Sequence, residues 1–364
     1  IGTLQASNLG YTYGQLRLER GAFSAQASLS RNLSGDGTYL YRTGDPITDE
    51  GTRIDGRVQY AFRGGPFGSE GVMGAEADAT RLQAVPGGAA PDEDAFSTVG
   101  VYLQTTTPLA ASWDLTLAGR ADYLSVREDV QFSPRAAFVY TPTLSHAFRV
   151  SYNRTAAAPS ARPLLQLAPG ASAPPRATVT HTFEAGYKGQ FTDRLRLSVD
   201  GYYETRTDVF VPVGRPVQYQ SGGDVEYWGL DAATEVRATE VLTLFGTTSY
   251  VSDDSFAGGR GEEIALNAPA FKVKGGVEYG LPRGVTMGAT AHHIDDFPVR
   301  FGPYTGTVDA YTLLDVRVRS PIPSVPGLSV NVTAKNVLGR EHREFVGAPA
   351  LGRRVIARLT YELP

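Results

Sequence analysis

The chain has 364 residues, no Cys, 41 Gly, 19 Tyr and a formal net charge of −4. No window approaches the run of about eighteen apolar residues that a transmembrane helix needs, and without Cys there is neither a disulfide framework nor thiol chemistry. A balance on the acidic side with no basic run argues against a nucleic-acid partner, whereas a mean hydropathy of −0.20 still permits a membrane barrel, in which half of every strand faces water.

In chain order, Thr3–Asn8 reads as a short first strand. Thr12–Arg20 and Phe23–Arg31 form a hairpin across Gly21, with Leu16 and Leu18 alternating with Arg17 and Glu19. The polar segment Asn32–Gly51 follows, then Arg53–Phe62 and Val72–Leu82, joined by a loop that opens with Gly64-Gly65-Pro66. Loop Gln83–Ala95 leads to Ser97–Pro108 and Trp113–Tyr123. In the latter, Trp113, Leu115, Leu117, Gly119, Ala121 and Tyr123 share a face opposite Asp114, Thr116, Arg120 and Asp122. Trp113 and Tyr123 lie roughly 25 Å apart along a strand tilted by about 40°, the spacing of two aromatic girdles.

Ser133–Tyr140 and Ala147–Asn153 continue the pattern, and Thr178–Tyr203 shows it most regularly. There Phe183, Ala185, Tyr187 and Gly189 oppose Thr182, Glu184, Lys188 and Gln190. After the turn Phe191-Thr192-Asp193, Leu195, Leu197, Val199, Gly201 and Tyr203 oppose Arg194, Arg196, Ser198 and Asp200. Such a face carries more full charge than a soluble sandwich core can bury. Three more hairpin pairs are Tyr227–Arg237 with Val241–Val251, Phe271–Tyr279 with Val285–His293, and Thr312–Arg319 with Leu328–Lys335. Arg354–Leu363 closes the chain.

Short turns alternate with long segments, the longest being 32–51, 156–178, 207–224, 252–269, 294–310 and 337–352. That sorting predicts an all-β, antiparallel transmembrane barrel of about 18 strands, with short periplasmic turns and long outer loops, forming one domain over residues 1–364. The chain begins at Ile1 and shows no signal peptide, so a mature or trimmed form is expected.

Several stretches resemble the TonB-dependent outer-membrane receptors. Phe132-Ser133-Pro134-Arg135-Ala136-Ala137, Phe148-Arg149-Val150-Ser151-Tyr152 and Ala158-Pro159-Ser160 are similar to that family's mid-barrel pattern. So are Phe183 to Lys188 with Leu195 to Val199, and Gly229-Leu230-Asp231-Ala232 with Leu242 to Gly246. Asn336-Val337-Leu338-Gly339-Arg340-Glu341 and Gly352 through Tyr361 resemble its last hairpin. The resemblance runs over about residues 95–364. It implies a barrel of up to about 22 strands with a plugged lumen. It also implies a bacterial outer-membrane location, contact with outer-membrane lipid and a TonB-type periplasmic partner that acts through the plug. The implied role is uptake of a scarce small-molecule or oligomeric solute: a siderophore, cobalamin, glycan or peptide. Neither the plug nor the TonB-contacting segment is found here, and the chain ends in Leu363-Pro364 rather than an aromatic. The plug and first strands are then either outside this sequence or absent by nature. In the second case the alternatives are a plugless barrel, acting as scaffold or pore in an envelope assembly, and a passive porin.

No catalytic residues, metal site or cofactor are expected. His292 and His293 are adjacent on a strand and point to opposite faces, so they cannot share a metal. Asp253-Asp254 and Asp295-Asp296 read as solvated loop acids ahead of calcium ligands. No His is placed to activate Ser151 or Ser198, so no enzyme is predicted. The polar face places Arg120, Arg149, Lys188, Arg196, Asp231 and Arg317 toward the lumen. Candidate solute contacts are the loop aromatics Tyr39, Tyr41, Phe297, Phe301 and Tyr304.

Overall fold

A computed structural model describes residues 4–5, 7–33, 39–40, 50–84, 95–125, 128–158, 176–213, 218–257, 264–301 and 304–363. The strands are β1 (Leu4–Gln5), β2 (Gly10–Arg20), β3 (Phe23–Leu33), β4 (Tyr39–Leu40), β5 (Glu50–Phe62), β6 (Glu70–Ala84) and β7 (Ala95–Ala110). Next come β8 (Trp113–Leu124), β9 (Asp129–Thr143), β10 (His146–Ala157), β11 (Thr178–Thr192), β12 (Leu195–Val213), β13 (Gln218–Arg237) and β14 (Leu242–Val251). The last are β15 (Phe271–Gly280), β16 (Thr286–Ile294), β17 (Phe297–Phe301), β18 (Tyr304–Val308), β19 (Tyr311–Pro321), β20 (Leu328–Lys335) and β21 (Arg354–Tyr361). No helix among the described residues is long and apolar enough to cross a membrane.

The chain divides into two compact units. One holds Ile1–Tyr140, Val150–Phe183 and Thr205–Val225; the other holds Thr141–Arg149, Glu184–Glu204 and Glu226–Pro364.

In the first unit β2, β3, β5, β6, β7, β8 and β9 form an antiparallel meander in which each strand pairs with the next. Its register puts Leu16, Ala27, Gly56, Ala77, Val99, Tyr123 and Val130 in one cross-strand row. The adjacent row, on the opposite face, is Arg17, Gln26, Arg57, Glu76, Gly100, Asp122 and Gln131. The apolar face is not packed inside protein: Leu16 is 75 % exposed, Phe132 57 % and Val99 51 %. Period-two alternation therefore builds a sheet with an oily side turned outward and a charged side opposite it.

The short turns follow local chemistry. Gly21 (φ 58) opens the two-residue link between β2 and β3, where a positive φ matches the twist of the strands. At the short-turn end, Trp113 stacks on Tyr140 at 3.9 Å between ring centroids and meets Phe138 at 4.7 Å. Tyr140→Leu is expected to destabilise the folded chain by about 0.5–1.5 kcal/mol, the range for an aromatic pair beyond its area burial, read as a shift in the urea midpoint in lipid vesicles.

In the second unit β13, β14, β15, β16, β19, β20 and β21 pair in the same neighbour-to-neighbour order. Leu244, Val277, Ala289, Val316, Ala334 and Val355 make an apolar row. Phe245, on the other face, lies flat over Gly276, where an added Cβ would come within 2.4 Å of the ring. Tyr202 covers Gly229 in the same way at 2.2 Å, and in the first unit Tyr102 covers Gly74 at 2.6 Å. Each glycine is needed because its Cα is the floor of an aromatic berth.

Three expectations are revised. Among the described residues the large sheet counts seventeen strands, and Leu4–Gln5, from the expected first strand, pairs instead with Tyr39–Leu40 in a sheet of two. The segment is too short to offer an alternating apolar face that a neighbouring strand would gain by covering. Several strands outrun their clean alternation, β12 to 19 residues and β13 to 20, because a strand needs only extended backbone and not strict alternation of its side chains. The long segment 294–310 contains the hairpin β17–β18, which sequence periodicity had not marked.

Candidate functional site

The polar face of the first unit is a continuous network. Glu76 on β6 accepts from Arg57 Nε on β5 and from Arg120 Nη1 on β8, each at 2.7 Å. Arg120 also holds Asp122 at 2.7 Å, and its guanidinium lies 5.8 Å from the Tyr102 ring centroid. Tyr102 donates its hydroxyl proton to Gln59 at 3.1 Å. Arg120 reaches across β7 because the intervening residue in that row is Gly100; a Cβ there would lie 2.6 Å from the Arg120 guanidinium and 2.2 Å from Asp122 Oδ1.

The second unit repeats the device. Arg149 Nη2 stands 3.5 Å from both Glu184 and Asp200, and an added Cβ at Gly186 would strike Asp200 Oδ1 at 2.2 Å. Arg196 faces Glu235 at 3.7 Å, and Arg317 pairs with Glu278. Asp231 sits on the same face, opposite Ser249. Lys188, Arg196, Glu235 and Phe245 border a concavity of about 650 Å³ that also takes in Thr141 near the end of β9 and Ser145 of the β9–β10 turn. Lys274 stands 5.8 Å from the Phe245 ring centroid.

The histidine pair faces two ways. His292 Nε2 is 3.6 Å from Asp315, whereas His293 Nε2 is 3.2 Å from Asp295 and its Nδ1 is 2.8 Å from the Thr312 hydroxyl. Among the described residues, no three of His, Asp and Glu are grouped so as to hold a metal ion.

The loop aromatics are placed unequally. Tyr39 pairs with Gln5 across the small sheet, and Tyr41 lies outside the described residues. Phe297 is buried with Val299 and Val308, packed against Ile294, Tyr304, Tyr311, Phe345 and Val346. This small core bonds the β17–β18 hairpin to the loop after β20. Tyr304 meets Phe345 at 5.9 Å, and Phe301, its cross-strand partner at the hairpin tip, is 48 % exposed. The facing loop is held by Asn336 (φ 52), whose amide nitrogen donates to the Arg340 carbonyl at 2.7 Å and whose amide oxygen accepts from the Arg340 N–H at 3.1 Å.

Sequence reasoning named Arg120 but not its partner Glu76, although parity in Val72–Leu82 places Glu76 on the polar face. It also missed Arg354 and Arg358, which alternate with Val355 and Ala357 on the last strand. Phe245 had no usable signal, since an aromatic on a charged face is explained only by the glycine beneath it.

A family model described as TonB dependent receptor-like, beta-barrel matches residues 2–337. Among solved structures, the copper transporter OprC is 12 % identical with a TM-score of 0.78, covering 98 % of this chain and 65 % of its own. The FrpB iron transporter from Neisseria meningitidis (F5-1 variant) is 13 % identical with a TM-score of 0.73, covering 96 % of this chain and 63 % of its own. A ferric enterobactin receptor (PfeA) mutant from Pseudomonas aeruginosa is 13 % identical with a TM-score of 0.74, covering 97 % and 61 %. The chain thus spans less than two thirds of the length of these structures. No curated protein sequence matches it.

Proposed function

Because the chain belongs to the TonB-dependent receptor family of bacterial outer-membrane β-barrels, we propose that it captures a scarce solute at its outer loops and passes it across the outer membrane. In this reading a TonB-type periplasmic partner supplies the energy through a plug, and the solute is a siderophore, cobalamin, glycan or peptide. The observation that carries it is the division of faces across the matched residues: apolar rows stand exposed, while Arg57, Arg120, Arg149, Arg196 and Arg317 each face a carboxylate on the polar side. The first is what lipid requires, and the second is what a water-filled lumen tolerates.

Solute contact is assigned to Phe301 and Tyr304 at the tip of β17–β18, with Tyr39 and Tyr41 as further candidates. Phe297 supports the same hairpin from below. Phe301→Ala, at the exposed tip and outside the small core that holds Tyr304, is expected to weaken solute affinity roughly tenfold, the cost of truncating an aromatic anchor, with no change in the urea midpoint. The function is tested by identifying co-purifying small molecules by mass and following their accumulation in cells with and without the periplasmic partner. Equal accumulation in both strains sinks energised uptake, and a large single-channel conductance points to an open pore.

A further inference from the structure

The polar face of the last three strands differs from the rest of the wall. On β19, β20 and β21 the inward rows read Arg319, Asn331, Arg358; then Arg317, Thr333, Ile356; then Lys335 beside Arg354. Arg317 is neutralised by Glu278. Arg319, Lys335, Arg354 and Arg358 are all exposed, and among the described residues none of the four has an ion-pair or hydrogen-bond partner. The carboxylate nearest in register, Asp315, already accepts from the Asn336 backbone N–H at 2.9 Å and stands 3.6 Å from His292.

The spacing is set by the sheet. Arg319 and Arg358 flank Asn331 from two strands apart, about 10 Å, and Arg354 precedes Arg358 by about 13 Å along β21. The four cations therefore lie along the strand direction, from beside the loop after β20 toward the β19–β20 turn. Four cations set against the one carboxylate in register with them, Asp315, leave an excess of positive charge that raises the local concentration of anions and favours those with several charges. At physiological ionic strength screening acts over about 8 Å, so a ligand gains most when its own charges sit close to two or more of these groups.

We propose that the inward face of β19–β21 is a binding track for a solute carrying two or more anionic groups, such as phosphates or carboxylates. The track deepens the uptake reading by naming the charge class of the solute, and it rests on that reading for the direction of travel. Arg319 and Arg358 hold one anionic group across Asn331, and Lys335 with Arg354 holds the next.

The test is equilibrium dialysis of the full chain in neutral detergent against tripolyphosphate, with sucrose as the uncharged comparison. Saturable binding of tripolyphosphate, falling as salt is raised, is expected, with none of sucrose. Arg319→Gln, Lys335→Gln, Arg354→Gln and Arg358→Gln combined are expected to weaken it roughly tenfold or more, given four exposed charge contacts. Replacing the three arginines by lysine instead keeps the charge and retains affinity within about threefold. Heat-modifiable migration on gels establishes that both variants are folded. Equal affinity in the glutamine variant, no binding by the unaltered chain, or equal binding of sucrose overturns the track. Failure of energised uptake is read separately in cells and leaves the dialysis result standing.

Discussion

Leu117→Arg is expected to cost about 2–4 kcal/mol of folding free energy in lipid, the range for a cation near the middle of a barrel's outer face. Leu117 sits on β8 between Trp113 and Tyr123, on the oily side, and is 49 % exposed. Nothing of the opposite charge faces outward from its cross-strand partners Thr105 and Ala136. The guanidinium would have to stay in hydrocarbon or drag water after it. Thr116→Arg, one residue away on the polar face, is the matched comparison. Its side chain enters water, and the main loss is the 3.0 Å hydroxyl contact with Thr106, worth about 0.5–1.5 kcal/mol. Urea titrations of both variants in phospholipid vesicles decide the matter. If Leu117→Arg is tolerated as well as Thr116→Arg, the oily face is not against lipid.

The second large effect is expected at Glu76. Its carboxylate serves Arg57 and Arg120 together and is 29 % exposed. Glu76→Leu removes two charge-assisted contacts and leaves Arg57 without its partner, while Arg120 keeps Asp122. A loss of about 1–3 kcal/mol is expected, discounted for the water that reaches these groups. A double-mutant cycle with Asp122→Asn should show coupling, because both substitutions act on one guanidinium. Strict additivity would mean that Arg120 is held by packing and not by the network. These are wall effects, so the variant should keep its short-turn aromatic contacts, visible as unchanged near-ultraviolet circular dichroism from Trp113.

Most of the sheet was legible from alternation alone. Each stretch in which apolar and charged residues change places every second position became a strand, with Arg120, Asp231 and Arg317 alternating with apolar neighbours along β8, β13 and β19. Alternation is a local signal and a strong one, because a slip of one residue would exchange the two faces entirely. What it could not show depends on contacts far apart in sequence. Phe297 looks like an exposed loop aromatic until Phe345 and Val346 are brought over it from the loop after β20. Leu4–Gln5 looks like a strand of the main sheet until Tyr39–Leu40 offers a nearer partner. That Arg319 and Arg358 have no ion-pair partner among the described residues is a statement about what stands beside them, and their own residue types carry no trace of it.

The glycines at 100 and 186 have a consequence for how such a wall can change over time. Each is an empty seat that lets charges on the two flanking strands shake hands over the strand between them. A methyl group arriving there first would have to push aside the Asp122 or Asp200 carboxylate, whose oxygen lies 2.2 Å from where it lands. Sequence drift at these sites is therefore coupled: filling the seat breaks the handshake, so in a set of descendants the acid, the arginine and the glycine are expected to change together more often than apart.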